Sequence, residues 1–174
     1  MSPKLTALLA VSASLLPGLA FGYDILHPAD VAKAVAQAKV TLDRALAASQ
    51  AVGTPISAKY ELDDHDDLML SVYTAKFNGA QATDFREVFV DDTTGQIVNS
   101  KPITDTNDLK HASEQVTALG ASTVKLAEFA ARVAADNDGY VLAGIFPVMK
   151  DGAAAVEVHL MKGSTDKQVF VPMK

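Results

Sequence analysis

Residues 84–100 read DFREVFVDDTTGQIVNS. Val88 and Val90 share one parity and Phe89 the other, the period-two pattern of a half-buried strand. Asp91-Asp92-Thr93-Thr94 then offers short oxygen-bearing side chains that bond their own backbone. Gly95 supplies the positive φ that a hairpin turn needs before Ile97 and Val98 start a returning strand. The stretch is therefore a hairpin, and the question becomes which larger unit it closes.

Upstream, HPADVAKAVAQAKVTLDRALAASQAVG (residues 27–53) has Pro28 at a favoured helix entry and Gly53 as a stop. Val31, Val35, Ala38, Leu42, Ala45 and Leu46 recur at three and four, one helical face. Thr41 and Asp43 can recap the chain, which allows one bent helix or two helices meeting near Lys39. From Ile56 the period changes to two: Ile56, Ala58, Tyr60 and Leu62 face one way and Ser57, Lys59 and Glu61 the other. DDHDD at 63–67 turns the chain, and Leu68, Leu70 and Val72 mark the inward face of a second strand.

The second half repeats this order. AKVTLDRALAAS resembles ASTVKLAEFAARV with Val40 set on Val124, and EVFV resembles QVFV with Val88 set on Val169. Between them Val141, Ala143 and Ile145 make a strand, Asp151-Gly152 a turn, and Val156, Val158 and Leu160 a second strand before Val169 and Val171. The expected fold class is α+β: two tandem repeats, 23–104 and 105–174, each a helix or helix pair packed on a three- to four-stranded antiparallel sheet. The second repeat lacks the terminal hairpin.

The N-terminus sets the compartment. Lys4 precedes an uncharged apolar run from Leu5 to Ala20, broken by Pro17-Gly18 and ending in small residues. This is the layout of a secretory signal peptide, 1–22, so a periplasmic or secreted protein is expected, with no stable membrane span after cleavage. Cleavage removes only Lys4 among the charged residues, so the net charge of −6 becomes −7. That balance argues against nucleic acid as a partner. With no cysteine, disulfides and thiol chemistry are excluded.

A helix followed by strands and closed by VFVDDTTGQIV resembles a PepSY domain, whose last hairpin reads valine, any residue, valine, aspartate, a short spacer, threonine, glycine. Residues 38–100 carry the likeness, and 121–174 carry it in helix and strands but end VFVPMK. The whole chain is similar to exported tandem PepSY proteins of bacteria. The resemblance implies a non-enzymatic binding or regulatory module whose partner is a protein, a peptidase that it restrains or another envelope component, with no cofactor.

Residues suited to chemistry are few. Asp63, Asp64, His65, Asp66 and Asp67 gather four carboxylates and an imidazole, donors suited to a divalent cation, without the twelve-residue frame of an EF-hand. A cation-binding protein using this turn is the alternative function. Asp136 to Gly139 has the composition of a helix stop, and Lys162 to Thr165 that of a turn. The four histidines have no i, i+4 pair, and no serine lies in a nucleophile elbow. If Val72, Val88, Val158 and Val169 face the helices, Tyr73, Phe89, His159 and Phe170 face away, at corresponding places in the two halves. These four are the partner-binding candidates, or else the seam where the two sheets meet.

Overall fold

The computed structural model describes residues 28–174 apart from 63, 64, 66, 121–124, 164 and 174. The expected signal segment and the three aspartates Asp63, Asp64 and Asp66 lie outside the described residues. In chain order the elements are α1 (Pro28–Val35), α2 (Leu42–Ser49), β1 (Thr54–Leu62), β2 (Leu68–Asn78), β3 (Gln81–Asp91), β4 (Ile97–Pro102), α3 (Thr106–Gly120), α4 (Leu126–Asp136), β5 (Val141–Lys150), β6 (Ala153–Lys162) and β7 (Thr165–Pro172). No described helix is long and apolar enough to cross a membrane.

All strands join in one antiparallel sheet of order β4-β3-β2-β1-β5-β6-β7. The two halves thus meet edge to edge, through β1 and β5, in a single layer. One register row, Ser100-Val88-Val72-Ala58-Ile145-Val158-Val169, crosses every strand. Its centre is the Ala58–Ile145 pair. On this face Val31 and Val35 of α1, Leu42 and Leu46 of α2, and Phe129 and Val133 of α4 bury their apolar sides against Val72, Val88, Ile145 and Val158 in one core. Burial of each such side chain contributes about 1.5–3 kcal/mol.

The hairpin of residues 84–100 is tied to the helix layer. Gly95, at φ 75°, lets its amide bond the Asp91 carbonyl at 2.9 Å. The Asp91 carboxylate accepts from the amides of Thr93 (3.1 Å) and Thr94 (2.6 Å) and from the Thr94 hydroxyl (2.7 Å). The Asp92 carbonyl accepts the amides of Lys39 and Val40, each at 2.9 Å, at the break between α1 and α2. The buried Tyr60 hydroxyl donates to the Val40 carbonyl. Turn, helix junction and sheet are thereby locked together, and the break near Lys39 divides two helices.

Three expectations change. A β-bulge between Pro55 and Ser57 turns Ile56 to the opposite face, where it packs on Ala75 and Ala112. In β5 a register shift between Leu142 and Gly144 leaves Val141 37% exposed and buries Leu142 instead. The third change is α3, which the sequence reading did not anticipate. The chain must return from the β4 edge to the sheet centre before β5 can pair with β1, four strand spacings or roughly 19 Å. A helix of 15 residues spans about 22 Å. It crosses the face that α1, α2 and α4 leave open, with Ala112, Val116 and Leu119 against Ile56, Ala75 and Tyr73.

Candidate binding surface

The face under and beside α3 is built from two register rows. Asn99, Phe89, Ser71, Lys59, Gly144, His159 and Gln168 form the first, one residue per strand. The second runs Lys101, Glu87, Tyr73 and Ser57 on one half, and Phe146, Glu157 and Phe170 on the other. Unlike the helix-packed face, these rows are polar and aromatic.

Their polar groups pair along and across strands. Ser71 donates to Glu87 at 2.7 Å, and Lys101 bridges to the same carboxylate at 3.0 Å while lying 4.7 Å from the Phe89 ring centre. In the second half, Glu157 is 6% exposed and accepts from Gln168 at 2.5 Å, with His159 Nε2 at 2.8 Å. His159 Nδ1 is 3.9 Å from Asp166, and the Phe146 ring stands edge-on to the imidazole at 5.7 Å. Between the halves Gly144 carries no side chain; a Cβ there would lie 2.8 Å from the Phe146 ring.

The four aromatic and imidazole candidates do not form one patch. Tyr73 lies against α3; burial first, then the charges of Glu87, Asp108 and Glu61, push its phenol well above the usual tyrosine range. Phe89 is half-buried beside Lys101. His159 is largely buried in its carboxylate pair. Phe170 is 40% exposed at the β7 edge, with Lys150 Nζ 3.4 Å above its ring. All four do lie on the face opposite α1, α2 and α4, as their parity requires, but α3 takes Tyr73 out of any open platform. Of the acidic turn, His65 and Asp67 are described, and both are exposed between β1 and β2.

Ser71 is bonded to Glu87 and His159 to Glu157, on opposite sides of Gly144, so they do not assemble a serine-histidine-carboxylate chain. What the surface does offer is strand edges. At one side Ile97 and Val98 of β4 are exposed; at the other Val169 and Val171 of β7 are only partly covered, and Phe170 is open. Lys101 and Lys167 place a charge on each edge, a device that blunts indiscriminate pairing. At one end of the sheet an apolar cleft of about 590 Å³ is lined by Pro55, Phe77, Val116, Leu119 and Leu126, with Lys125 beside them.

No family model matches the chain, and no curated protein matches it. Among solved structures, that of a protein described as a lipoprotein from Clostridium difficile 630 aligns at a TM-score of 0.39 and 12% identity, over 69% of this chain and 75% of that one. The PepSY resemblance therefore rests on the sequence of residues 38–100 and 121–174 alone.

Proposed function

We propose that the chain is a non-enzymatic, exported binding module of the PepSY type, made of two copies of a helix-backed antiparallel unit, which restrains a peptidase or modulates another envelope protein by docking on it. The single observation that carries the reading is the register row centred on Ala58–Ile145, with α2 and α4 packed on the same face. Val72 and Val158 flank the central pair, and Val88 and Val169 follow, which are the residues that the sequence alignment of the halves equates. The arrangement leaves one outer strand of each half unpaired among the described residues, and main-chain groups on such edges bind extended segments without any reactive side chain.

Titrating the purified chain against thermolysin-like metallopeptidases tests it: hydrolysis falls saturably as the chain approaches equimolar amounts. Unchanged hydrolysis removes the peptidase role. The competing reading, a periplasmic protein that binds divalent cations through Asp63–Asp67, instead requires a metal-dependent melting temperature.

A further inference from the structure

We infer that the β7 edge, residues 166–171, is a strand-addition site for an extended, basic segment of a partner protein, laid antiparallel to β7 as β4 is laid against β3. The inference rests on reading the two halves as copies. In the first half the outer side of β3 is covered by β4, with Ser100 opposite Val88, Asn99 opposite Phe89 and Lys101 opposite Glu87. The equivalent strand, β7, carries Val169, Phe170 and Gln168 at those places, and no described strand lies beyond it. The chain's own β4 is thus the template for what fits there.

The chemistry of the occupant follows from both faces of β7. On the helix side Val169 and Val171 are partly buried against the core, so the added strand needs small or apolar side chains opposite them. On the other side Lys101 of β4 meets a carboxylate at 3.0 Å and an aromatic ring at 4.7 Å. Beside Gln168 the carboxylates are Glu157, already engaged by Gln168 and His159, and Asp166, whose side chain is 39% exposed and lies 3.9 Å from the imidazole. A basic side chain opposite Gln168 reaches Asp166, two residues along the same face of β7. The net charge of −6 favours the approach of a basic segment over an acidic one. Pro172 limits the run at its far end, because it has no amide to donate.

The probe is a synthetic peptide of residues 95–103, GQIVNSKPI, added to the full chain and followed by residue-resolved amide exchange. Alternate amides among Gln168, Val169, Phe170 and Val171 should slow by roughly tenfold or more at saturation. Replacing the peptide lysine by glutamate should weaken binding by about tenfold. Methylating alternate backbone nitrogens of the peptide should abolish binding in one register and spare it in the other, without altering the protein. Protection on β4 or on no strand overturns the site. A free chain that sediments as a dimer with β7 already protected overturns the partner in favour of a second copy. Protection of β7 with the peptide shifted from the Ser100–Val169 pairing supports the edge site and overturns only the equivalence of the halves.

Discussion

Tyr60→Phe isolates the bond that ties the sheet to the junction of α1 and α2. The ring stays, so packing is conserved, and only the hydroxyl that serves the Val40 carbonyl is lost. Val40 is 1% exposed and Tyr60 2%, so water does not readily replace that donor. Leaving a buried carbonyl unpaired costs about 1–3 kcal/mol. Near the middle of that range, about 2 kcal/mol, a domain of this size loses roughly 4–8 °C of melting temperature. The same variant has a signature in pH. Burial, then the charges of Asp92 and Asp43, raise the Tyr60 phenol above its ordinary value. The folded chain therefore holds that proton more tightly than the unfolded chain, whose tyrosines titrate near about 10. Stability from this difference is complete below that pH and is lost as pH rises above it, while the unfolded state ionises first. Tyr60→Phe should thus lower the melting temperature at neutral pH and flatten its decline above about pH 10. A melting temperature within about 1 °C of the parent, or an unaltered alkaline slope, refutes the lock.

Other outcomes follow from single positions. Gly144→Ala drives a Cβ to 2.8 Å from the Phe146 ring, itself only 8% exposed, and should destabilise by about 1–3 kcal/mol in chemical denaturation. The added Phe146→Leu change should recover part of that loss, whereas full additivity would show that the ring is not the obstacle. The Asp91 carboxylate, held by the Thr94 hydroxyl and amide and by the Thr93 amide, should titrate by NMR below the ordinary aspartate range. Its contribution to stability is present above that range and is lost as pH falls through the folded value; Asp91→Asn should remove this acid-side dependence. Calcium, zinc or copper should leave the melting temperature unchanged. A rise that disappears when Asp63, Asp64, Asp66 and Asp67 become asparagine would move the function to that turn.

The parts of the fold legible in the sequence are those with strong apolar contrast. Val88, Val90 and Gly95 marked a hairpin because one face of β3 is buried and the turn needs positive φ. Leu42, Ala45 and Leu46 marked α2 because their spacing matches a helix that buries one side. The central position of β5 was also written in the chain, since Leu142 to Pro147 are buried without a break, as in a strand covered on both faces. Reading parity alone missed it and misplaced Val141. Which strands meet between the halves was not legible: the recorded pairing of β1 with β5 is Ala58–Ile145 and Lys59–Gly144, and neither pair has a side-chain signature. The aromatic candidates were placed on the correct face, but an intervening helix decided that they do not share an open surface.

That helix is the least contrasted element, for a reason with measurable consequences. The fully buried positions of α3 are Ala112, Gln115 and Ala118, while its larger apolar side chains, Val116 and Leu119, are only partly buried, so the three-four spacing is present but muted. The cap at Asp105, which accepts the amides of Asn107 at 2.8 Å and Asp108 at 3.1 Å, was the clearer signal of a helix start. Small contact residues bury little apolar surface, and the Gln115 Oε1, in a residue 3% exposed, accepts no hydrogen bond among the described residues. The helix layer on the other face has the large core of Leu46, Phe129 and Val133 to hold it. Elements with few buried apolar contacts open at lower free energy than the global transition. The α3 amides should therefore exchange faster than those of α4, through an opening that leaves the core closed. Asp105→Ala should accelerate α3 exchange by roughly fivefold, the equivalent of about 1 kcal/mol of capping, while α4 stays unchanged. Gln115→Leu, which removes the unpaired Oε1 in favour of an apolar group of similar size, should slow it. Equal exchange in α3 and α4, with both variants shifting the two helices together, would mean that the sheet and its two faces open as one unit and that α3 is no weaker than the rest.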